Sequence, residues 1–392
     1  MKLASWWCCC AAAVMLGVCV AWGVAAASGP SPIVVTYDDV PPPLPGKLMT
    51  VYSVQSDGSL VPKESVPTSG FGVGGGYFGE NRIAVLNSGS QQCVYVAEGR
   101  TSDIVGIFIS NGQIASQTYG SATDTGLSNG IGLAMNSQYL YVSFSDDSAI
   151  GTFAVEADCS LTFIGDTAAL GLKGGIIDGM HIGGNIMVVT YGDGSIESFD
   201  ISGGTPVSNG DEQYSTASSK GNTYPTGVDI TQDSHYAIFG DTSTSTTIEV
   251  SDISSGKLTP TVVYHPGTSI NSSNVMLSPD ETLLYISNSQ GDSITAAFFD
   301  KTSGAITTGC TSAGLKGYVT AWSYVAGLAL AGTTGTGGTV YVAEFGAPSS
   351  IGIVNVSSSA GKCTLTEAAS SPQSDPNSNS LLSIGAFPSR TF

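Results

Sequence analysis

One pattern of short strands and turns recurs along most of this sequence, about every 50 residues. Each unit contains an apolar strand, a turn, a second apolar strand, a polar loop, a third strand, a glycine turn and a fourth strand. Such units bury their apolar faces only against neighbouring units, so the repeat predicts a β-propeller. The second strands are Tyr95-Val96-Ala97, Tyr141-Val142-Ser143, Met187-Val188-Val189, Ala237-Ile238-Phe239, Tyr285-Ile286-Ser287 and Tyr341-Val342-Ala343.

A seventh unit is divided between the two ends of the chain. Ile33 to Asp38 repeats the pattern of a second strand, Met49 to Val54 that of a third, and a fourth follows the turn at Asp57-Gly58. The missing first strand is Leu381 to Phe387, which follows a polar connection over residues 368–380. Pairing the last segment with the first closes the ring and leaves only short, protected strand edges.

The fold class is therefore all-β, a seven-bladed β-propeller of four-stranded blades that forms a single domain over residues 28–392. Its split blade combines residues 31–67 with residues 381–392, so the C-terminal strand joins the N-terminal blade. A chain of this length normally divides into several domains, because single cores stop growing at roughly 250 to 300 residues. A ring of repeats removes that conflict.

The first 27 residues have the features of an export signal. Lys2 supplies the positive start, an apolar run extends from Ala11 to Val24, and Ala25-Ala26-Ala27 offers a cleavage site. A permanent membrane helix is the alternative, but the run is shorter than the roughly 20 residues that a span needs. We expect a secreted or periplasmic protein with no membrane span in the mature chain.

The charge balance restricts the partners. Lys and Arg number 12 against 31 Asp and Glu, which gives a net charge of −19. Nucleic acid is excluded as a partner of so acidic a surface. The arginines Arg82, Arg100 and Arg390 form no basic cluster, and phosphate groups or multiple carboxylates need charge-assisted donors. Phosphorylated and polyanionic substrates are therefore disfavoured.

The units resemble the lactonase and YVTN-type propeller superfamily. The resemblance rests on Leu277-Ser278-Pro279-Asp280, on Tyr285-Ile286-Ser287-Asn288, and on the Tyr-Val-Ala and Ser-Gly-Lys-Leu elements. It covers nearly the whole mature chain and implies the seven-bladed fold. The superfamily includes phosphogluconolactonases and carboxymuconate-cyclising enzymes, so the resemblance also implies lactone hydrolysis. Its motifs mark turns and core strands, and they assign no catalytic residue and no cofactor.

Two carboxylates are the candidate catalytic residues. The residue three positions beyond the start of each second strand should point toward one face of the ring, and two of these residues, Glu98 and Glu344, flank the split blade. Paired carboxylates serve acid/base chemistry or bind a cation. In the alternative, Glu98 pairs with Arg100 and Glu344 is solvated. The full set is Thr36, Glu98, Phe144, Thr190, Gly240, Asn288 and Glu344.

Aromatic residues precede several first strands and should lie on the same face. Tyr224, Trp322 and Tyr324, together with Asn288, are the candidate ligand-binding residues, because aromatic-lined concavities suit weakly charged ligands. In the alternative, the rings wedge between blades. The sequence favours an exported propeller that binds a neutral or cationic small molecule, a glycan or a peptide on its channel face; the alternative is a hydrolase of a weakly charged lactone.

His181 aligns with Met135, Ile230 and Leu277 near the end of a first strand, which predicts a histidine packed in the core. His235 and His265 fall in loops. Cys and His pairs at the short spacing of metal ligands are absent from the sequence, so no metal site is expected.

Four cysteines follow the export signal, and an oxidising compartment favours disulfides. Four cysteines allow three connectivities, of which only Cys93 with Cys159 and Cys310 with Cys363 joins adjacent blades. We expect the first bridge, because both of its cysteines lie in turns on one face. Whether Cys310 reaches Cys363 is left open.

Overall fold

The computed structural model describes a chain whose regular elements, within the described residues, are all β-strands. In that same part of the chain no helix is long and apolar enough to cross a bilayer. The export signal predicted for residues 1–27 lies outside the described residues. These are 32–39, 48–68, 70–72, 81–88, 91–110, 112–121, 126–215, 225–241, 247–266, 272–288, 293–311, 313–316, 324–330, 338–345, 349–359, 361–375 and 381–387.

The strands follow the apolar segments of the repeat. In chain order they are β1 (Ile33–Asp38), β2 (Leu48–Val54), β3 (Leu60–Pro67), β4 (Ile83–Ser88), β5 (Gln91–Glu98), β6 (Asp103–Ser110), β7 (Gln113–Ser121), β8 (Gly130–Met135), β9 (Tyr139–Phe144), β10 (Ala149–Val155), β11 (Leu161–Ala168), β12 (Ile177–Gly183), β13 (Ile186–Tyr191), β14 (Ser195–Asp200), β15 (Val207–Ser208), β16 (Gln213–Tyr214), β17 (Pro225–Ile230), β18 (Tyr236–Asp241), β19 (Ile248–Asp252), β20 (Thr259–Tyr264), β21 (Ser272–Leu277), β22 (Leu283–Asn288), β23 (Ser293–Asp300), β24 (Ala305–Thr307), β25 (Ala313–Gly314), β26 (Tyr324–Leu330), β27 (Gly338–Phe345), β28 (Ser350–Ser359), β29 (Lys362–Glu367), β30 (Gln373–Ser374) and β31 (Leu381–Phe387).

These strands form seven antiparallel sheets, which are the blades of a propeller. From the innermost strand outward they are β4-β5-β6-β7 (blade one), β8-β9-β10-β11 (two), β12-β13-β14-β15 (three), β17-β18-β19-β20 (four), β21-β22-β23-β24 (five), β26-β27-β28-β29 (six) and β31-β1-β2-β3 (seven). Each innermost strand contacts that of the next blade all the way round, from β31 through β4 back to β26 and β31. The seven-bladed fold and its closure by the C-terminal strand are confirmed.

The tyrosine of the second strands links neighbouring blades. The Tyr141 hydroxyl of blade two donates a hydrogen bond to the Gly204 carbonyl of blade three at 2.7 Å. The Tyr341 hydroxyl of blade six donates in the same way to Gly58 of blade seven at 2.8 Å. Both rings are fully buried, and a buried hydroxyl requires a partner. The repeated Tyr-Val-Ala and Tyr-Val-Ser segments therefore encode contacts between blades.

Innermost strands of blades two to seven carry a β-bulge near their first residues. In two blades the serine of the second strand holds this bulge: Ser143 Oγ accepts a hydrogen bond from the Gly132 amide, and Ser287 Oγ accepts one from the Asn274 amide, each at 2.8 Å. A bulge re-aims side chains and is common beside functional sites. In these six blades the bulge lies where the innermost strand begins, beside the central channel.

The bulges also correct the alignment of the blades. The residues opposite them in blades three, four and seven are Tyr191, Asp241 and Asp38. Phe144, Asn288 and Glu344 occupy this bulge-facing position in their blades. The residues predicted to be equivalent to them in blades three, four and seven, which are Thr190, Gly240 and Thr36, are therefore wrong. Second strands buried on both faces are apolar at successive positions, so Met187, Ala237 and Ile33 resembled strand starts without being equivalent.

Both candidate disulfides are formed. Cys93 and Cys159 join blades one and two with their Cα atoms 5.6 Å apart, and Cys310 and Cys363 join blades five and six at 4.4 Å. Cys310 lies beyond β24, where it makes an isolated bridge to Cys363. This position brings its sulfur to the neighbouring blade and answers the question that the sequence left open.

Candidate functional site

Charged residues are scarce on the seven strands that border the central channel. Their sequences contain two carboxylates, one histidine and no Lys or Arg. Asp178 and His181 lie on β12 of blade three, and Asp229 lies on β17 of blade four. The titratable groups of the inner ring are therefore concentrated at two adjacent blades.

His181 and Asp229 occupy the same position in neighbouring blades. His181 pairs with Val188 and Asp229 with Ile238, each three residues before the bulge-facing residue of its second strand. The His181 Nδ1 atom lies 3.6 Å from the Asp229 Oδ1 atom, and the His181 side chain is 22% exposed. The alignment of His181 with Ile230 and Leu277 was wrong by one residue. Its position borders the channel and is not in the apolar core.

Backbone amides of two blades hold the Asp229 carboxylate. Its Oδ1 accepts a hydrogen bond from the Ile230 amide at 2.8 Å, and its Oδ2 accepts one from the Leu277 amide of blade five at 2.7 Å. Asp229 is 4% exposed. Amide donors stabilise a buried carboxylate and fix its orientation. The carboxylate beside His181 is therefore rigidly placed.

Asp178 is the bulged residue of β12, since Ile177 and Gly179 pair with consecutive residues of the next strand. It is one of only two residues of this strand that are not buried, the other being His181. Surrounding protein raises the pKa of the Asp178 carboxyl to about 6, against an opposing attraction from Arg82. The channel wall thus carries a carboxyl that is less acidic than that of an ordinary aspartate.

Arg82 is anchored where blades seven and one meet. Its Nε donates to Asp39 Oδ2 at 2.8 Å, with both side chains fully buried, and its amide donates to Ser383 Oγ at 2.9 Å. Blade one carries Arg82 and blade three carries Asp178, yet the two charges interact. The one arginine near the channel is already matched by a carboxylate in the part of the chain that the structure describes.

Glu98 is the last residue of β5 and Glu344 the next to last of β27, and the two lie in different surroundings. Glu98 is fully buried beside Tyr37, and burial together with the Asp39 and Glu98 charges raises the pKa of the Tyr37 hydroxyl. Glu344 is 2% exposed, accepts a hydrogen bond from Ser350 Oγ, and has its pKa raised to about 7 by burial. Both carboxylates are therefore shielded from solvent, and a catalytic role for the pair stays a prediction.

The predicted ligand-binding residues have separate outcomes. Asn288 is buried, and its Nδ2 donates to Ser293 Oγ at 3.1 Å and to Thr295 Oγ1 at 2.8 Å, within blade five. Tyr224 and Trp322 lie outside the described residues. Tyr324 is the first residue of β26. The role of the three aromatic residues stays a prediction. Across the described ranges, no group of three or more His, Cys, Asp or Glu is placed to hold a metal ion.

Arg82, Asp178 and Asp229 are not among the site residues that the repeat pattern predicts. A signal for two of them was present, because Asp178 and Asp229 are acids inside otherwise apolar first strands. A charged residue in a buried strand is rare unless it is paired. Recognising that signal required the correct register, which only the bulges reveal.

Residues 96–377 match the sequence family described as lactonase, 7-bladed beta-propeller. The chain belongs to this lactonase family. No curated protein has a significantly similar sequence.

Several solved structures share the architecture. A candidate 6-phosphogluconolactonase of Bacteroides fragilis superposes with a TM-score of 0.67 at 13% identity, over 92% of this chain and 99% of its own. The periplasmic gluconolactonase of Pseudomonas aeruginosa gives 0.66 at 14% identity, over 91% and 99%. A Lactobacillus plantarum protein gives 0.67 at 12% identity, also over 91% and 99%. At these identities the likeness shows the fold alone.

Proposed function

We propose that this propeller is an extracytoplasmic hydrolase that opens a lactone ring in its central channel. The observation that carries the proposal is the contact between His181 and Asp229, an imidazole beside a rigidly held carboxylate at the channel wall. Membership of the lactonase family supports the reaction class. Two disulfides support an oxidising compartment, as does the leader-like sequence of residues 1–27.

In the proposed reaction His181 acts as the general base. It takes a proton from water while the oxygen of that water bonds to the lactone carbonyl carbon, and the carbonyl electrons move onto oxygen. The Asp229 carboxylate stabilises the positive charge that the imidazole gains. Collapse of the tetrahedral intermediate breaks the ring C–O bond, and the proton passes from His181 to the ring oxygen. The product is the open hydroxy acid.

Asp178 lies on the same strand and has a second role in this scheme. Its carboxyl has a pKa of about 6 because the surrounding protein limits its hydration and so disfavours the charged form, and part of it remains protonated slightly below neutral pH. Asp178 precedes His181 by three residues, and the two are the partly exposed residues of β12. In this scheme its carboxyl orients the attacking water or the carbonyl by hydrogen bonding. We therefore expect Asp178 to support the reaction, with His181 carrying the proton transfer.

The test is hydrolysis of a panel of neutral γ- and δ-lactones by the purified mature protein, followed as acid release in a pH-stat. We expect His181→Gln to lower kcat/KM by about 100-fold or more, as for loss of a general base. His235→Gln is the matched control, because His235 makes a His–Asp contact of the same 3.6 Å with Asp252. Asp252 belongs to β19, two strands outward from β17, so this contact lies away from the channel wall.

Unchanged kcat/KM in His181→Gln would show that His181 is not the base. The binding function favoured by the sequence has its own signature in the same experiment. If calorimetry detects lactone or glycan binding while the pH-stat detects no turnover, the protein is a binding propeller and the hydrolase proposal is wrong.

A further inference from the structure

We infer that the channel selects lactones without negative charge and uses its own carboxylates to expel the acid product. This inference rests on the proposed hydrolase function and adds the substrate class. The carboxylates are Asp178 on blade three and Asp229 on blade four. The substrate is a neutral or cationic lactone, and the product is its hydroxy acid.

Few residues determine the charge of the channel wall. The seven innermost strands carry Asp178 and Asp229 and no Lys or Arg. Arg82, which precedes β4, makes a fully buried ion pair with Asp39. Glu98 is fully buried in the same seam, where its charge acts on Tyr37 together with that of Asp39. Among these charged residues of blades one, three, four and seven, carboxylates therefore outnumber cations.

An excess of carboxylates disfavours a bound anion. A phosphate or carboxylate group that leaves water needs cationic or amide donors in exchange. Beside Asp178 or Asp229 it would meet a like charge at reduced dielectric, where repulsion is several times stronger than in water. A hydroxyl or ammonium group is favoured at the same place, because it donates hydrogen bonds to carboxylates.

The product differs from the substrate in charge. Ring opening adds water to a neutral lactone and gives a hydroxy acid, which loses a proton to solvent and becomes an anion near pH 7. The charge of the ligand therefore changes during the reaction, while the carboxylates of the wall stay fixed. Repulsion from Asp178 and Asp229 then speeds the departure of the product. The same groups that exclude anionic substrates reduce product inhibition.

The experiment compares glucono-δ-lactone with its 6-phosphate at pH 8, where Asp178 is ionised. We expect kcat/KM for the neutral lactone to exceed that for the phosphate by about tenfold or more, and gluconate to inhibit weakly. Asp178→Asn should narrow this preference and tighten gluconate inhibition by about tenfold. High salt should narrow the preference as well. Asp166→Asn is the matched control, since Asp166 is exposed on the outer strand β11 of blade two.

The outcomes separate this inference from the proposed function. Equal turnover of both lactones overturns the selection and leaves the hydrolase intact. If neither lactone is hydrolysed, calorimetric titration of gluconate into wild type and Asp178→Asn decides. Tighter binding of gluconate by the variant supports the repulsion of anions by the channel wall in a protein that does not hydrolyse these lactones. Equal gluconate affinity of wild type and Asp178→Asn, or no gluconate binding by either protein, overturns the inference.

Discussion

Thr36 and Asp375 are 339 residues apart in sequence, yet Thr36 Oγ1 donates a hydrogen bond to Asp375 Oδ2 at 2.8 Å. Thr36 belongs to the second strand of the split blade, and Asp375 follows the short strand β30 of blade six. Beside them the Leu60 amide donates to Gln373 Oε1 at 3.3 Å. Together with the pairing of β1 and β31, these contacts fasten the two ends of the chain into one ring.

Removal of the closing strand should open the ring. Deleting residues 380–392 removes β31, whose Leu381, Ile384 and Phe387 are buried. Burial of large apolar side chains contributes about 1.5 to 3 kcal/mol each, so we expect a loss of about 5 kcal/mol or more. Thermal melting followed by circular dichroism measures the change. Deleting only residues 388–392 is the control, and an unchanged melting curve for the longer deletion would contradict closure.

The disulfide between Cys93 and Cys159 should contribute strongly to stability. The two cysteines are separated by 66 residues, and restricting a loop of that size in the unfolded chain stabilises by about 4 kcal/mol on the chain-entropy model. We expect Cys93→Ser with Cys159→Ser to lower the melting temperature in non-reducing buffer. Wild type in reducing buffer should approach the variant. Peptide mapping that found free thiols at both positions would refute the bridge.

The sequence carries the architecture of this protein well because the repeat is redundant. The units with a clear pattern set the spacing, so a unit with a weak Tyr-Val-Ala pattern, as at Met187 and Ala237, can still be located. The seven blades and the ring closure can therefore be predicted. The first disulfide could be predicted for the same reason. The position of each cysteine within its blade fixes which cysteines are neighbours.

The candidate site could not be predicted to the same degree, because it depends on single-residue register. A shift of one residue moved His181 onto the apolar positions of Ile230 and Leu277 and hid its relation to Asp229. The carboxylates Glu98 and Glu344 attracted attention as acids at strand ends, but backbone and neighbouring blades cover both. Exposure of a polar side chain between packed blades is a tertiary property that strand patterns do not encode.

Gly72 should not tolerate a side chain. A Cβ atom built at this residue would overlap the Asp39 carboxylate and come within 2.7 Å of the Asp39 carbonyl carbon. Asp39 is the partner of Arg82, so Gly72→Ala should disturb the buried ion pair and destabilise by about 1 to 3 kcal/mol. Gly165→Ala is the control, because a Cβ there meets nothing within 4 Å. Chemical denaturation measures both, and equal midpoints would contradict the contact.

Glu344 should make the protein less stable as pH rises toward neutral. Burial raises the pKa of its carboxyl from 4.5 in the unfolded chain to about 7, against the Ser350 hydrogen bond and with a contribution from Glu367. The folded protein therefore binds this proton more tightly than the unfolded chain. Its contribution is fully present below about pH 4.5 and is lost as pH rises through about 7. Asp178, with a pKa raised to about 6, acts in the same direction.

Replacing the Glu344 carboxyl with an amide should remove the larger part of this dependence of stability on pH. Glu344→Gln keeps an acceptor for Ser350 Oγ and carries no charge, so above pH 7 it should exceed wild type by up to about 3 kcal/mol. Urea unfolding at intervals from pH 4.5 to 8 measures the difference, with the exposed Glu156→Gln as the control. Below pH 4.5 the two curves should converge, because wild type is then protonated in both states. Parallel curves across the whole range would show that Glu344 is charged in the folded protein.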